Sequence, residues 1–394
     1  MTTKSSIIEA TDRCTTGNYA RFPVAFVRGE GTRLFDEEGK SYLDLFSGLA
    51  VSCLGYGHKG LVDAITRQAS TLMHTSNLYY HQPGAELADR LVALSFADRV
   101  FFCNSGTEAN EAAIKMARRA VPDRHKIIAV EGSFHGRTLG ALAATGQPSL
   151  REGFGPMPGG FVHVAFGDVD AMIREIDDET AAVMVEPIIG EGGIRVYPDG
   201  YLAAVRKACD QAGALLVMDE VQTGIGRTGT LFAYEGLGVT PDILTSAKAL
   251  AGGLPIGAVL ATESAAAGFV PGTHGSTFGA NPVACAAALA VLAAFDSEDI
   301  LANVRRTGAH LAARLRELAS ARDDIAEVRG RGLMIGMELT RPARPVVDAA
   351  LRSGVVLNAT AGNVVRFLPP LTITSDEIDE GIAVLAKALE ETVE

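Results

Sequence analysis

Residues 242–262 read DILTSAKALAGGLPIGAVLAT. Two apolar runs, DILTSA (242–247) and GAVLAT (257–262), flank a glycine-rich turn, and Lys248 stands between them. Between Asp242 and Glu263 it is the only charged residue. An ammonium in apolar surroundings costs several kcal/mol unless it is paired or gives up its proton. Three readings follow. A surface lysine fits these neighbours poorly. A buried lysine paired with one acid is the second reading, and a Schiff-base lysine whose amine desolvation has made nucleophilic is the third.

The two runs have five companions: VFFC (100–103), KIIAV (126–130), FVHVAF (161–166), AAVMVE (181–186) and ALLVMD (214–219). Amphipathic helical stretches separate most of them. That alternation predicts an α/β fold, an open and largely parallel sheet wrapped by helices. Upstream, residues 26–48 alternate short runs with turn pairs and read as β-hairpin material. After residue 298, long amphipathic helices surround RGRGLMIGMEL and NVVRFLPPL, which suggests a smaller α+β domain. The expected division is 1–55 for an N-terminal segment joining the small domain, 56–298 for the large domain and 299–394 for the C-terminal small domain.

The chain has 394 residues, 47% apolar and 21% charged, with 43 glycines, the profile of a globular chain rich in tight turns. A net charge of −12 argues against nucleic acid as a partner. Five cysteines, with no CxxC pair, suggest neither a disulfide framework nor a thiolate zinc site, so no metal is expected. The opening MTTKSSIIEATDR lacks the apolar stretch of a signal peptide. The longest apolar run, Val283–Phe295, is too short to span a bilayer and reads as a buried helix. The expectation is a cytoplasmic protein with no membrane partner.

Ligands of open parallel sheets bind beyond the carboxyl ends of the strands. NSGTE follows VFFC, FHGR follows KIIAV, PIIGEGG follows AAVMVE, EVQTG follows ALLVMD, and Lys248 follows DILTSA. The polar, glycine-rich elements thus converge on one rim. In Asn104–Glu108, a Ser-Gly-Thr turn opens a helix whose free N–H groups suit a phosphate. An ordinary N-cap with a box-like Thr107 and Asn110 is the competing reading. Asp219, ending a very apolar strand, needs a cation, either a salt-bridge partner or a protonated ring nitrogen. The Phe134 ring could stack on a planar cofactor, and Arg137 could fork onto a carboxylate. His135 reads as an ordinary hydrogen-bonded loop histidine. Residues 224–229, GIGRTG, match GxGxxG, but EVQT separates them from the strand and no helical stripe follows. A nicotinamide site is therefore not expected.

Together these residues resemble the class III aminotransferases, pyridoxal-phosphate enzymes of fold type I, over roughly residues 18–385. The resemblance implies a seven-stranded, mostly parallel sheet and pyridoxal 5'-phosphate as cofactor. Lys248 would bind the cofactor as an imine and shuttle the proton. Asp219 would pair with the ring nitrogen, Gln222 would contact the phenolic oxygen, and Val221 and Phe134 would sandwich the ring. Ser105, Gly106 and Thr107 would hold the phosphate. Thr277 would reach the phosphate of a neighbouring subunit, with Ser276 near substrate, which implies a homodimer with shared active sites.

Within the class, TSNLYYHQP, FFCNSGTEANEAAIK, GRTLGALAATGQP and HGSTFGANPVAC resemble enzymes that move the δ-amine of N2-acetyl-L-ornithine to 2-oxoglutarate. Arg137 would then bind the donor α-carboxylate. Glu191 would neutralise Arg366 for the donor and swing away for 2-oxoglutarate, letting one pocket serve two charge patterns. Leu49 stands where relatives acting on free ornithine carry a tyrosine, and an apolar residue suits an acylated nitrogen. Ile189 departs from a common glutamine, and Lys59-Gly60 from a common His-Pro. Donors of the ornithine, succinylornithine or 4-aminobutyrate type are the close alternatives. An aminomutase or racemase on this scaffold needs no second substrate, and the gate counts against it.

Overall fold

The computed structural model describes residues 5–392, so the outermost residues of the expected N- and C-terminal segments lie outside it. The N-terminal hairpin material forms an antiparallel meander of β1 (Phe26–Glu30), β2 (Arg33–Asp36) and β3 (Ser41–Asp44). The central sheet takes β4 (Arg99–Cys103), β5 (Lys126–Val130), β6 (Phe161–Val164) and β7 (Thr180–Val185). A short hairpin of β8 (Ile188–Ile189) and β9 (Arg195–Val196) leaves its rim. The sheet then resumes with β10 (Leu215–Asp219), β11 (Ile243–Ser246) and β12 (Gly257–Ala261).

All seven expected runs enter this one sheet, in the order β4-β12-β11-β10-β7-β5-β6. The strands pair in parallel except β12, which runs antiparallel to both β4 and β11. Every residue of β5, β7 and β12 is buried. Strands covered on both faces have no polar side to show, hence the unbroken apolar runs. The helix Gly106–Ala120 covers one face with Ala109, Ala112, Ala113 and Ala117, small side chains that let it approach the sheet closely.

The apolar run Val283–Phe295 lies in the helix Pro282–Ser297, capped by Asn281 Oδ1, which accepts from Val283 N (3.0 Å) and Ala284 N (3.3 Å). It packs on the helices Lys59–Thr71 and Gln82–Ala93. Burying Val291 and Leu292 there contributes about 1.5–3 kcal/mol each. Among the described residues no helix is long and apolar enough to cross a membrane.

The C-terminal part supplies β13 (Ile325–Arg331), β14 (Met334–Leu339), β15 (Val355–Val356), β16 (Asn358–Thr360) and β17 (Val364–Phe367). Four of them form an antiparallel sheet, β13-β14-β17-β16. The fifth, β15, pairs with β3, so the N-terminal meander and the C-terminal chain share a sheet. GIGRTG is a buried turn that opens no helix. Its Arg227, 1% exposed, donates from Nη1 to the carbonyls of Leu333 (3.2 Å) and Pro369 (2.5 Å). Burial pushes that guanidinium down to about 10. The motif is a strut between the central sheet and the C-terminal chain, not a dinucleotide loop.

Candidate active site

The carboxyl ends of the parallel strands open on a cavity of about 440 Å³. Lys248 lines it, one residue beyond the Ala247 that follows β11. Its backbone has φ 44°, left-handed geometry that costs a non-glycine residue about 1–2 kcal/mol. Such strain persists where the surroundings dictate it, often at functional sites. Among the described residues the ammonium donates to no acceptor. Desolvation holds its pKa below the ordinary lysine value; Glu191, Asp219 and Glu186 oppose that shift and Arg366 reinforces it. An unpaired, readily deprotonated amine facing a cavity is a nucleophile and a base.

Asp219 ends β10 on the same wall, 4% exposed. Its Oδ1 accepts from Val221 N (3.0 Å), and its Oδ2 from Asn110 Nδ2 (2.7 Å) and His135 Nδ1 (2.8 Å). Thr245 Oγ1 donates to Asn110 Oδ1 (2.8 Å), which fixes the amide so that its NH2 points at the carboxylate. The carboxylate is therefore held rigidly in one orientation. Sequence reasoning missed both supports. His135 was read as an ordinary loop histidine, and its Nε2 is buried without a partner. Asn110 carried a signal that could have found it, since it follows Gly106 by four residues on one helix and so shares its face.

Glu186, after β7, also lines the cavity. Its oxygens accept from Phe134 N (2.8 Å) and Gly190 N (2.9 Å). Burial pushes this carboxyl up to about 7; His135 pulls it down and the Asp219 charge adds to the rise.

Ser105, Gly106 and Thr107 stand at the N-terminus of the helix Gly106–Ala120 and line the cavity. The cap differs from the Thr107–Asn110 box read from the sequence. Ser105 Oγ accepts from Glu108 N (3.3 Å), and Glu108 Oε2 accepts from Asn104 N (2.7 Å). Thr107 Oγ1 instead accepts from Arg137 N (3.2 Å) and meets Thr138 Oγ1 at 2.9 Å. A Cβ on Gly106 would lie 2.7 Å from Val221 Cγ1, so the helix start and the strand-end loop close on each other only with glycine there. Phe134 lines the cavity, with the Arg137 guanidinium 5.7 Å from its ring centroid. Arg137 is exposed and forms no ion pair among the described residues.

Glu191, in the β8–β9 turn, lines the cavity, whereas Arg366 on β17 is buried and reaches it only through Glu191. Arg366 Nη1 donates to Glu191 Oε1 (2.6 Å) and Nη2 to Oε2 (3.3 Å). Burial pushes the Glu191 carboxyl up, but the Arg366 charge and hydrogen bond outweigh it and hold it below its ordinary value. Gln222 Nε2 donates to Glu191 Oε1 (3.2 Å), which ties Gln222 into this pair. Ile189 is fully buried in the core and does not line the cavity.

Leu49 and Val51 also line the cavity. Leu49 belongs to a left-handed turn in which Ser47, Gly48, Leu49 and Ala50 have φ of 47°, 60°, 72° and 63°. Asp44 Oδ1 holds that turn by accepting from Phe46 N and Ser47 N, both 2.8 Å, and Ser47 Oγ donates to Leu368 O (2.6 Å). Sequence reasoning missed this turn. Ser276 reaches the rim through Asn104 Nδ2, 3.1 Å from its Oγ. Thr277 is exposed and lies outside the cavity.

Three observations bear on a cofactor: an unpaired lysine amine, a rigid carboxylate, and a helix N-terminus closed by Gly106 over Val221. They match the aldehyde, ring nitrogen and phosphate of pyridoxal phosphate, so the residues present fit that group. Among the described residues no group of three or more His, Cys, Asp or Glu is placed to hold a metal ion.

Comparison with known proteins agrees. The family described as aminotransferase class-III matches residues 15–389. The chain is 48% identical over 379 residues to the acetylornithine aminotransferase of Caldanaerobacter subterraneus, covering 95% of this chain and 96% of that one. It superposes on the ornithine aminotransferase of Toxoplasma gondii, a structure with partial occupancy of PLP at its active site, with a TM-score of 0.95 and 34% identity, covering 99% and 94% of the two chains. For the acetylornithine aminotransferase of Elizabethkingia anophelis the TM-score is 0.88 at 32% identity, covering 98% of each chain.

Proposed function

We propose, from the premise that this chain belongs to the class-III aminotransferase family, that it moves the δ-amine of N2-acetyl-L-ornithine to 2-oxoglutarate. The products are N-acetylglutamate 5-semialdehyde and glutamate. The observation that carries this reading is an arginine covered by a carboxylate, Arg366 under Glu191 at 2.6 Å, where Glu191 lines the same cavity as the uncovered Arg137.

Bound pyridoxal phosphate supplies a carbonyl for the amine and a ring that draws off the electron pair of a broken C–H bond. Lys248 would hold it through Nζ, and the same Nζ takes the proton from the donor δ-carbon. Its depressed pKa suits that task. Asp219 would pair with the ring nitrogen, and the donors from Val221, Asn110 and His135 hold its carboxylate in one orientation. Ser105, Gly106 and Thr107 take the phosphate at the helix N-terminus. Val221 and Phe134 would flank the ring, and Gln222 would contact its phenolic oxygen; all three line the cavity.

Arg137 binds the donor α-carboxylate at the cavity mouth, which sets the δ-amine toward Lys248. With Glu191 on Arg366 the inner pocket is neutral and accepts a donor carrying one carboxylate. When Glu191 turns away, Arg366 takes the α-carboxylate of 2-oxoglutarate and Arg137 the distal one. Leu49 and Val51 offer the acylated nitrogen an apolar wall. Likeness to ornithine aminotransferase favours ornithine as a second reading; Leu49 weighs against it, because a free α-ammonium has no partner there.

We further infer a homodimer with shared active sites. Asn77 Nδ2 donates to Ser276 O and Gly279 O, both 2.9 Å, tying residues 75–83 to residues 274–285. Leu78, Tyr79, Tyr80 and Phe278 on these segments expose apolar surface beside Thr277. A second copy there would cover them and bring Thr277 and Ser276 to its own site. The division into 56–298 as cofactor-binding domain, 299–394 as small domain and 1–55 joining it, a cytoplasmic location, and a place in arginine biosynthesis complete the proposal.

Mixing with N-acetylornithine and no oxoacid tests the reading. The visible absorbance of the bound cofactor should change within seconds, and 2-oxoglutarate should reverse it. An unchanged spectrum with N-acetylornithine, alongside a full change with ornithine, would overturn it.

A further inference from the structure

The strand β16 was not singled out by its sequence, yet it touches both halves of the gate. Asn358 pairs across the sheet with Arg366. Its Oδ1 accepts from Arg366 Nη2 (2.7 Å) and Nε (3.2 Å). Thr360, two residues on and so on the same face, donates from Oγ1 to the backbone carbonyl of Glu191 (2.5 Å).

A guanidinium offers five N–H donors arranged as two forks. The side fork, Nε with Nη2, is spent on Asn358. The end fork, Nη1 with Nη2, is spent on Glu191. The remaining Nη1 donor meets Gln222 Oε1 at 3.4 Å. Every donor of a side chain only 1% exposed is thus accounted for. When Glu191 leaves, the end fork alone is released.

We propose that Asn358 is a positioning residue that reserves the side fork of Arg366, so that Glu191 and a substrate carboxylate must compete for one edge. The inference rests on the gate described above. Without Asn358 the guanidinium is free to swivel, and when Glu191 leaves, its end fork no longer faces the incoming carboxylate squarely. The neutrality of Asn358 matters as much as its position. An acid at 358 would cancel the Arg366 charge whether or not Glu191 had moved, and the pull on a second carboxylate would be lost. An amide orients the arginine and leaves its charge available.

The test compares two non-reacting ligands by calorimetry on the cofactor-loaded enzyme. Glutarate needs both arginines; N2-acetyl-L-norvaline, the donor without its δ-amine, needs only Arg137. Asn358→Ala should weaken glutarate about tenfold, the worth of one charge-assisted hydrogen bond. Asn358→Asp should weaken it further, by about a hundredfold. N-acetylnorvaline should change less than about twofold in both variants, which a general loosening of β16 could not produce. Wild-type glutarate affinity in Asn358→Asp, or equal losses of both ligands, would overturn the proposal. If wild type binds N-acetylnorvaline but not glutarate, the two-carboxylate gate itself fails, and this inference with it.

Discussion

Nδ1 of His135 stands 2.8 Å from Oδ2 of Asp219, with both side chains sealed from solvent. The contact joins the loop after β5 to the last residue of β10, 84 residues apart in sequence. Together with Asn110 it leaves the Asp219 carboxylate unable to turn, so a cation beside it meets acceptors already in place.

Asp219→Asn should therefore cost far more than a lost hydrogen bond. The new amide cannot neutralise a ring cation, and whichever way it turns its NH2 must face a donor that already points inward. Single-turnover rates should fall by about 10²–10⁴. A loss below about tenfold would contradict the assigned role.

Arg137 is exposed and unpaired, so its removal should not disturb folding. Arg137→Ala should lower kcat/KM by about 10–100-fold for donors bearing an α-carboxylate. A simple alkylamine should be little affected. Equal losses for both would show that Arg137 acts on something other than the carboxylate.

Glu191→Ala uncovers Arg366 permanently. The KM for 2-oxoglutarate should fall several-fold, because Glu191 no longer competes. The donor should lose about tenfold in kcat/KM as Arg366 captures its carboxylate in the wrong register. A rise in the KM for 2-oxoglutarate would contradict the gate.

Glu220 is 1% exposed and has no cationic partner among the described residues. Its carboxylate accepts from Ala233 N (2.6 Å) and Tyr234 N (2.9 Å), and burial pushes it up to about 7. Between its ordinary value of 4.5 and about 7 the folded chain binds more protons than the unfolded one. Stability from this group is thus full at low pH and is lost as pH rises through that window, by about 3 kcal/mol. Melting temperatures at pH 5 and pH 8 should show a larger fall for wild type than for Glu220→Gln. Parallel curves would rule the effect out.

Much of this architecture was legible in the sequence, for a physical reason. Strands buried on both faces must be apolar throughout, so β5, β7, β10 and their neighbours stood out as runs, and the charges at their ends stood out by contrast. Lys248 and Asp219 were visible in that way. The direction of β12 was not, because an apolar run has no polarity; only its short link to β11, carrying a single 3₁₀ turn at Lys248–Ala251, hinted at a reversal. His135 was illegible because its partner lies 84 residues away, and Asn358 because nothing in its sequence marks the pairing of β16 with β17 that sets it opposite Arg366. The left-handed turn at Ser47–Ala50 was hidden for another reason: only one of its four residues is glycine, and Asp44 and Leu368 supply the rest of its stability.

The central claim is that an apolar wall and a gated arginine select an acylated donor. The most direct test is kcat/KM for N-acetylornithine, ornithine and 4-aminobutyrate, each with 2-oxoglutarate. The account predicts N-acetylornithine ahead of ornithine by at least about tenfold, since burying an unpaired ammonium at Leu49 costs more than about 1.4 kcal/mol, and ahead of 4-aminobutyrate, which is one carbon shorter and has no acyl group to lie against Leu49. Ornithine matching or exceeding the acetylated donor would contradict it.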